Sequence, residues 1–202
     1  MSEADEKQAL QRYLQHAREA LLWKLDGLSD YDIRRPMTPT GTNLLGLVKH
    51  CTAVDFTYFG MVLDRPFPGE SELDWHQDDD AELSGGMYAT KAESREQVTG
   101  FYRRVWAHSD ATIQELPLDA RGTVPWWSEE TRHPTLHTLL VHTIQETARH
   151  AGHADIIRET IDGAAGLREA VSGMPPQADA AAWKQHYDKL ESIARCANST
   201  AQ

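Results

Sequence analysis

The sequence predicts an all-α protein, a four-helix bundle with a long acidic loop and an extra C-terminal helix. Three observations carry this. Apolar residues recur at three- and four-residue spacing over four long stretches, strand-like alternation of any length is absent, and the prolines fall between the periodic stretches. The connections are long, which favours crossovers over a simple up-and-down order.

Residues 4–28 place Leu10, Tyr13, Leu14, Ala17, Leu21, Leu25 and Leu28 on one side, with Glu, Lys, Arg and Gln opposite, and so predict a first helix. The run DYDIRRPMTPTGTN interrupts it with two prolines and a glycine before Thr42 or Asn43 offers an N-cap. A second helix then runs to about Leu63, with Leu44, Leu47, Val48, Cys51, Val54, Tyr58 and Val62 inward, and His50 on the seam Leu47, His50, Val54, Thr57, Met61. Residues 64–90 hold eight acidic residues against Arg65 alone, and read as a solvated loop that Trp75 could anchor. A third helix, Ala92 to Leu116, buries Val98, Phe101, Tyr102, Val105, Trp106 and Ile113, with His108 in a structural role. In the link RGTVPWWSEETRH, the Trp126–Trp127 pair is expected to plug one end of the core. The fourth and longest helix lies between His133 and Gly163, with Pro134 at its first turn, Thr135 or His133 as cap and Gly163 at its exit. The segment AAGLREAVSGMPPQA reads as linker. Asp179 to Ala197 reads as a terminal helix whose Trp183, Tyr187, Leu190 and Ile193 would pack outside the bundle. The expected division is a metal-binding bundle over 1–165 and a linker with its helix over 166–202.

Composition sets limits on function. With 202 residues, 40% hydrophobic and 25% charged, the chain can bury a full core. A net charge of -11 and no basic cluster repel phosphate backbones and anionic membranes, so neither nucleic acid nor a membrane is an expected partner. Two cysteines, Cys51 and Cys196, make no disulfide framework, and a cytoplasmic setting fits them. The start MSEADEKQALQRY is too polar for a signal peptide, and no apolar run approaches the ~20 residues that span a bilayer.

The fourth helix carries the chemistry. Leu139, Thr143, Glu146, His150, His153 and Ile157 form a bundle-facing seam that is polar at its centre. Glu146 and His150 are four apart, so carboxylate and imidazole can meet over one turn. A divalent ion would turn the cost of burying them into binding energy; a hydrogen-bonded ion pair of Glu146 with His150 or Arg149 is the other reading. No GxGxxG, GxxxxGK[ST], GxSxG or HExxH motif competes with it.

GTNLLGLVKH, followed some 96 positions later by the ETARHAGHADIIRE run with PWW shortly before it, resembles the DinB/YfiT-like superfamily in its DUF664-type branch. The resemblance covers roughly residues 5–165. It implies a four-helix bundle with three metal ligands, here His50, Glu146 and His150. Most members carry histidine where this chain has Glu146. The N-terminal domain of mycothiol-dependent maleylpyruvate isomerases is similar to this chain in using glutamate. His153, where many relatives carry glutamine, is a candidate additional or alternative ligand. The resemblance further implies a low-molecular-weight thiol as cosubstrate and transfer or isomerisation on a small-molecule substrate. The donor set suits zinc, with nickel and iron(II) compatible, and Arg149 is a candidate anchor for an anionic group. The alternative is a non-catalytic protein whose ion is structural. A homodimer is expected.

Overall fold

The computed structural model describes residues 2–69, 86–175 and 179–199. Its helices are α1 (Glu3–Trp23), α2 (Asp30–Arg34), α3 (Leu44–Asp55), which runs on into a π-helical segment Phe56–Met61, α4 (Arg95–Glu115), α5 (Leu136–Asp162) and α6 (Ala180–Ser199). Among the described residues the only β pairing is two isolated bridges. The chain is an all-α bundle, as its periodicity predicts.

Local chemistry sets the helix ends. Ser2 and Ser94 make capping boxes with Asp5 and Gln97, Asn43 caps α3 through Gly46 N–H, and Thr135 caps α5 through Thr138 N–H. Gly163 stops α5 in a left-handed conformation, φ 80°, that a Cβ would oppose. Gly46 is required for a different reason: a Cβ there would collide with the Met87 carbonyl, so the segment before α4 lies directly on α3.

The long helices pack with α1 chiefly on α5, α3 on α4, and α3 also on α5. Thus α1 lies chiefly along α5 rather than along α3, the next long helix, which agrees with crossover connections. Two large apolar clusters fill the bundle, beside a small third of Phe56, Phe101 and Val105. One joins Leu21, Leu25, Leu44, Leu47, Val48, Tyr102 and Ile157; the other joins Leu14, Phe59, Ile113, Val124, Leu136 and Leu139.

Several expectations are corrected. Tyr13 is 60% exposed, and Arg18 takes the buried place on α1 because it reaches two carboxylates. Met61 is 56% exposed, since the wider π turn shifts the register of the expected seam. The short helix α2 stands at the start of a stretch rich in breakers; Ser29 caps it through Asp32 N–H. Every described side chain of α6 is exposed, including Trp183, Tyr187, Leu190 and Ile193, so among the described residues the packing expected from its stripe is not formed. The acidic loop and its Trp75 anchor fall mainly in 70–85, outside the described residues. Among the described residues, no helix is long and apolar enough to cross a membrane.

Candidate metal centre

α3 and α5 bring together the residues that a 96-residue separation keeps apart in sequence. His50 stands near the middle of α3 and Glu146 and His150 on successive turns of α5. The His150 Nε2 lies 3.0 Å from Glu146 Oε1, and the His50 Nε2 lies 3.5 Å from the same oxygen. The two imidazole rings stand edge to face, centroids 4.6 Å apart. One ligand atom from each of the three residues falls within 4.8 Å of the others. His150 is nearly buried, whereas the His50 and Glu146 side chains keep about a quarter of their surface, 25% and 24%. The cluster therefore opens to one side.

The electrostatics bind the group together. Burial pushes the Glu146 carboxyl up, but the hydrogen bond with His150 and the nearness and charge of both histidines outweigh it and hold the group below its ordinary range. Burial and the neighbouring His50 push the His150 imidazole down against the pull of Glu146, with His153 adding to the depression. His150 is thus favoured neutral, the form that binds metal.

The donor set fits a divalent ion. Two imidazole nitrogens and one carboxylate oxygen are a common three-ligand set for zinc, leaving coordination positions for an exogenous group. The His50 Nε2 is buried without a hydrogen-bond partner, because its 3.5 Å contact with Glu146 is too long and poorly aligned to be one. A buried nitrogen left without a partner costs free energy that a metal bond would offset.

His153 lies outside the triad. Its Nδ1 faces the Nδ1 of His150 at 3.3 Å, the nitrogen opposite the one that meets Glu146. Were His150 Nε2 to hold a metal, its Nδ1–H would be free to donate to His153 Nδ1, which would set the tautomer and ring orientation. Arg149 is exposed beside His150. His108 has the structural role expected of it, its Nε2 on the Arg65 carbonyl at 2.8 Å and its ring against Phe67. Trp127 packs against the second core cluster as expected, but Trp126 is 59% exposed.

The family model for mycothiol-S-transferases matches residues 9–163, from α1 to the end of α5. The chain belongs to the mycothiol-S-transferase family. A comparison with curated proteins found no match. The match ends at Gly163, so the linker and α6 lie beyond the part this family shares.

Proposed function

We propose that this mycothiol-S-transferase family member is a metal-dependent thiol S-transferase, joining a low-molecular-weight thiol of the mycothiol type to a small electrophile. The observation that carries the reading is the convergence of His50, Glu146 and His150 to within 4.8 Å in a chain matched by that family over most of its length. Zinc is the ion that best suits two imidazoles, one carboxylate and a sulfur donor, with nickel or iron(II) compatible. A bound divalent ion would lower the pKa of a thiol, so that the thiolate is available at neutral pH.

The chain's own residues do the rest. Glu146 and the two histidines define the position, and His153 orients His150 through its second nitrogen. Exposed Arg149, beside His150, offers a charge that an anionic group on either substrate could meet. The linker and α6 lie outside this chemistry, and the exposed apolar stripe of α6 suits a homodimer contact.

The test is metal analysis of the purified protein, followed by thiol consumption with mycothiol against a panel of electrophiles. Bound metal at one ion per chain and thiol-dependent turnover are expected. His50→Ala and His150→Ala should lose both, and His153→Ala should weaken metal binding by about 10–100-fold without abolishing it. Metal bound with no turnover on any electrophile would leave the ion as structural and reject the transferase. Light scattering on the same sample should give twice the 22.7 kDa chain mass; a monomer would reject the dimer.

A further inference from the structure

Helix α6 lies beyond the end of the family match, and none of its described side chains is buried. A lone helix of this length is marginal in water, where most helical stability comes from covering an apolar face. Such a face is present. Trp183, Tyr187, Leu190 and Ala194 follow one another at steps of four, three and four, the spacing of a helix that packs lengthwise on another helix. Trp183, Tyr187 and Leu190 are 41%, 68% and 51% exposed. Gln185, Asp188, Lys189, Ser192 and Arg195 hold the opposite side.

Size and charge along this seam point to one kind of partner. The seam is large at its start, with Trp183 and Tyr187, and small at its end, with Ala194. A second α6 laid parallel would set Trp183 against Trp183 and Ala194 against Ala194, crowding one end and leaving a gap at the other. Laid antiparallel, with Tyr187 of each copy facing Leu190 of the other, it sets Trp183 against Ala194 at both ends, so that large meets small in every layer. Lys184 and Glu191 stand seven residues apart on the same flank of the seam. In the antiparallel register each lysine meets the glutamate of the other copy, and the two-fold axis makes the pair twice. Within one helix Lys184 also pairs with Asp188, and Glu191 with Arg195, but these contacts are exposed and contribute little, so both groups can be shared across the seam.

We infer that two copies of this chain associate through α6 as an antiparallel helix pair, with Trp183 of each copy against Ala194 of the other and Lys184 against Glu191. This deepens the homodimer reading given above by naming the surface, the orientation and the register, and it stands apart from the thiol chemistry. The contact is isologous, so it closes at two copies. It is smaller than a standard protein interface, which sets its strength in the micromolar range, on the order of 10 µM.

The test is sedimentation equilibrium of the full-length protein from about 5 to 500 µM. A monomer–dimer equilibrium is expected, and Leu190→Asp should weaken it more than tenfold. Because an unwound α6 would also lose the dimer, the deciding arm uses charge. Lys184→Glu alone and Glu191→Lys alone should each weaken the dimer by about fivefold, the size expected for two exposed ion pairs. The double variant Lys184→Glu with Glu191→Lys should restore it, since each pair is then remade with its signs exchanged. A double variant no tighter than the single ones would overturn the antiparallel register. A monomer at every concentration would overturn the helix pair and leave the stripe to the bundle or to another protein, and a dimer that Leu190→Asp leaves intact would move the contact to a different surface. A protein that dimerises as described yet consumes no thiol would keep the helix pair and reject the transferase reading alone.

Discussion

Burial and His50 hold His150 toward its neutral form against the pull of Glu146, while His150 and His50 hold Glu146 ionised, and this gives the metal-free protein a definite response to acid. The His150 imidazole is depressed below 6.5, so the folded chain binds fewer protons there than the unfolded chain. Stability then falls as pH drops through the ordinary histidine range. Glu146 is depressed below 4.5, so its contribution is present above that value and is lost as pH falls through the lower folded value. The two effects have the same sign and successive windows. We expect the chelator-treated protein to melt at lower temperature at pH 5.5 than at pH 7.5, and His150→Gln to remove much of that upper-window difference; NMR of the His150 ring should show a midpoint below 6.5. A ring that titrates at or above 6.5 would reverse the sign. The positions of Glu146 and His150 were legible in sequence, since a four-residue step on one helix fixes their contact. From periodicity alone His50 was legible as an inward-facing histidine on another helix; its meeting with Glu146 was implied by the family resemblance, because it depends on how α3 and α5 pack. The role of His153 was not legible, because a three-residue step places it near His150 without saying which nitrogen it faces.

Arg18 joins three helices from a fully buried position. Its guanidinium lies 2.8 Å from Asp55 on α3, 2.9 Å from Asp110 on α4 and 5.3 Å from the centre of the Trp106 ring. Burial raises the Asp55 carboxyl, Arg18 lowers it and Asp110 raises it again, leaving it at about 6. A folded value raised from 3.8 to about 6 means that this group's contribution is full below 3.8 and is lost as pH rises through 6, opposite in sign to Glu146. Arg18→Met would leave Asp55 buried without its cation, which for such pairs costs about 3–5 kcal/mol near neutral pH. The cost should shrink between pH 8 and pH 5, because the carboxyl can then be neutral. Urea melts at both pH values check this, and a cost that does not change with pH would show that Asp55 stays ionised or that the variant fails through packing alone. The periodicity put Tyr13 on the inner side of α1 and left Arg18 to solvent, because an apolar count has no term for an arginine whose partners lie 37 and 92 residues away. The π turn escaped notice for a related reason: one extra residue in a turn has no compositional mark, and only its effect, Met61 turned outward, is visible.

The four long helices were legible because each buries a stripe that repeats every few residues, whereas the place of α6 was not, since a stripe tells that a surface can be covered and not by what. The same division applies to the metal. The triad joins α3 to α5 across the bundle, so an ion held by it would bind the folded chain and not the unfolded one, and its binding energy would add to the stability of the whole fold. Free metal at about a thousand times its Kd adds roughly 4 kcal/mol, which for a chain of this size is on the order of ten degrees in Tm. Chelation should remove that increment and added zinc should restore it. His150→Ala should melt at one temperature with or without chelator, whereas His16→Ala on α1, which is away from the triad, should keep the wild-type difference. Truncation after residue 175 should keep it as well, because all described side chains of α6 are exposed and none reaches the triad. If chelator leaves the wild-type Tm unchanged and metal analysis finds no ion, the triad is a hydrogen-bonded pair with a neighbouring histidine, and the transferase reading loses the chemistry on which it stands.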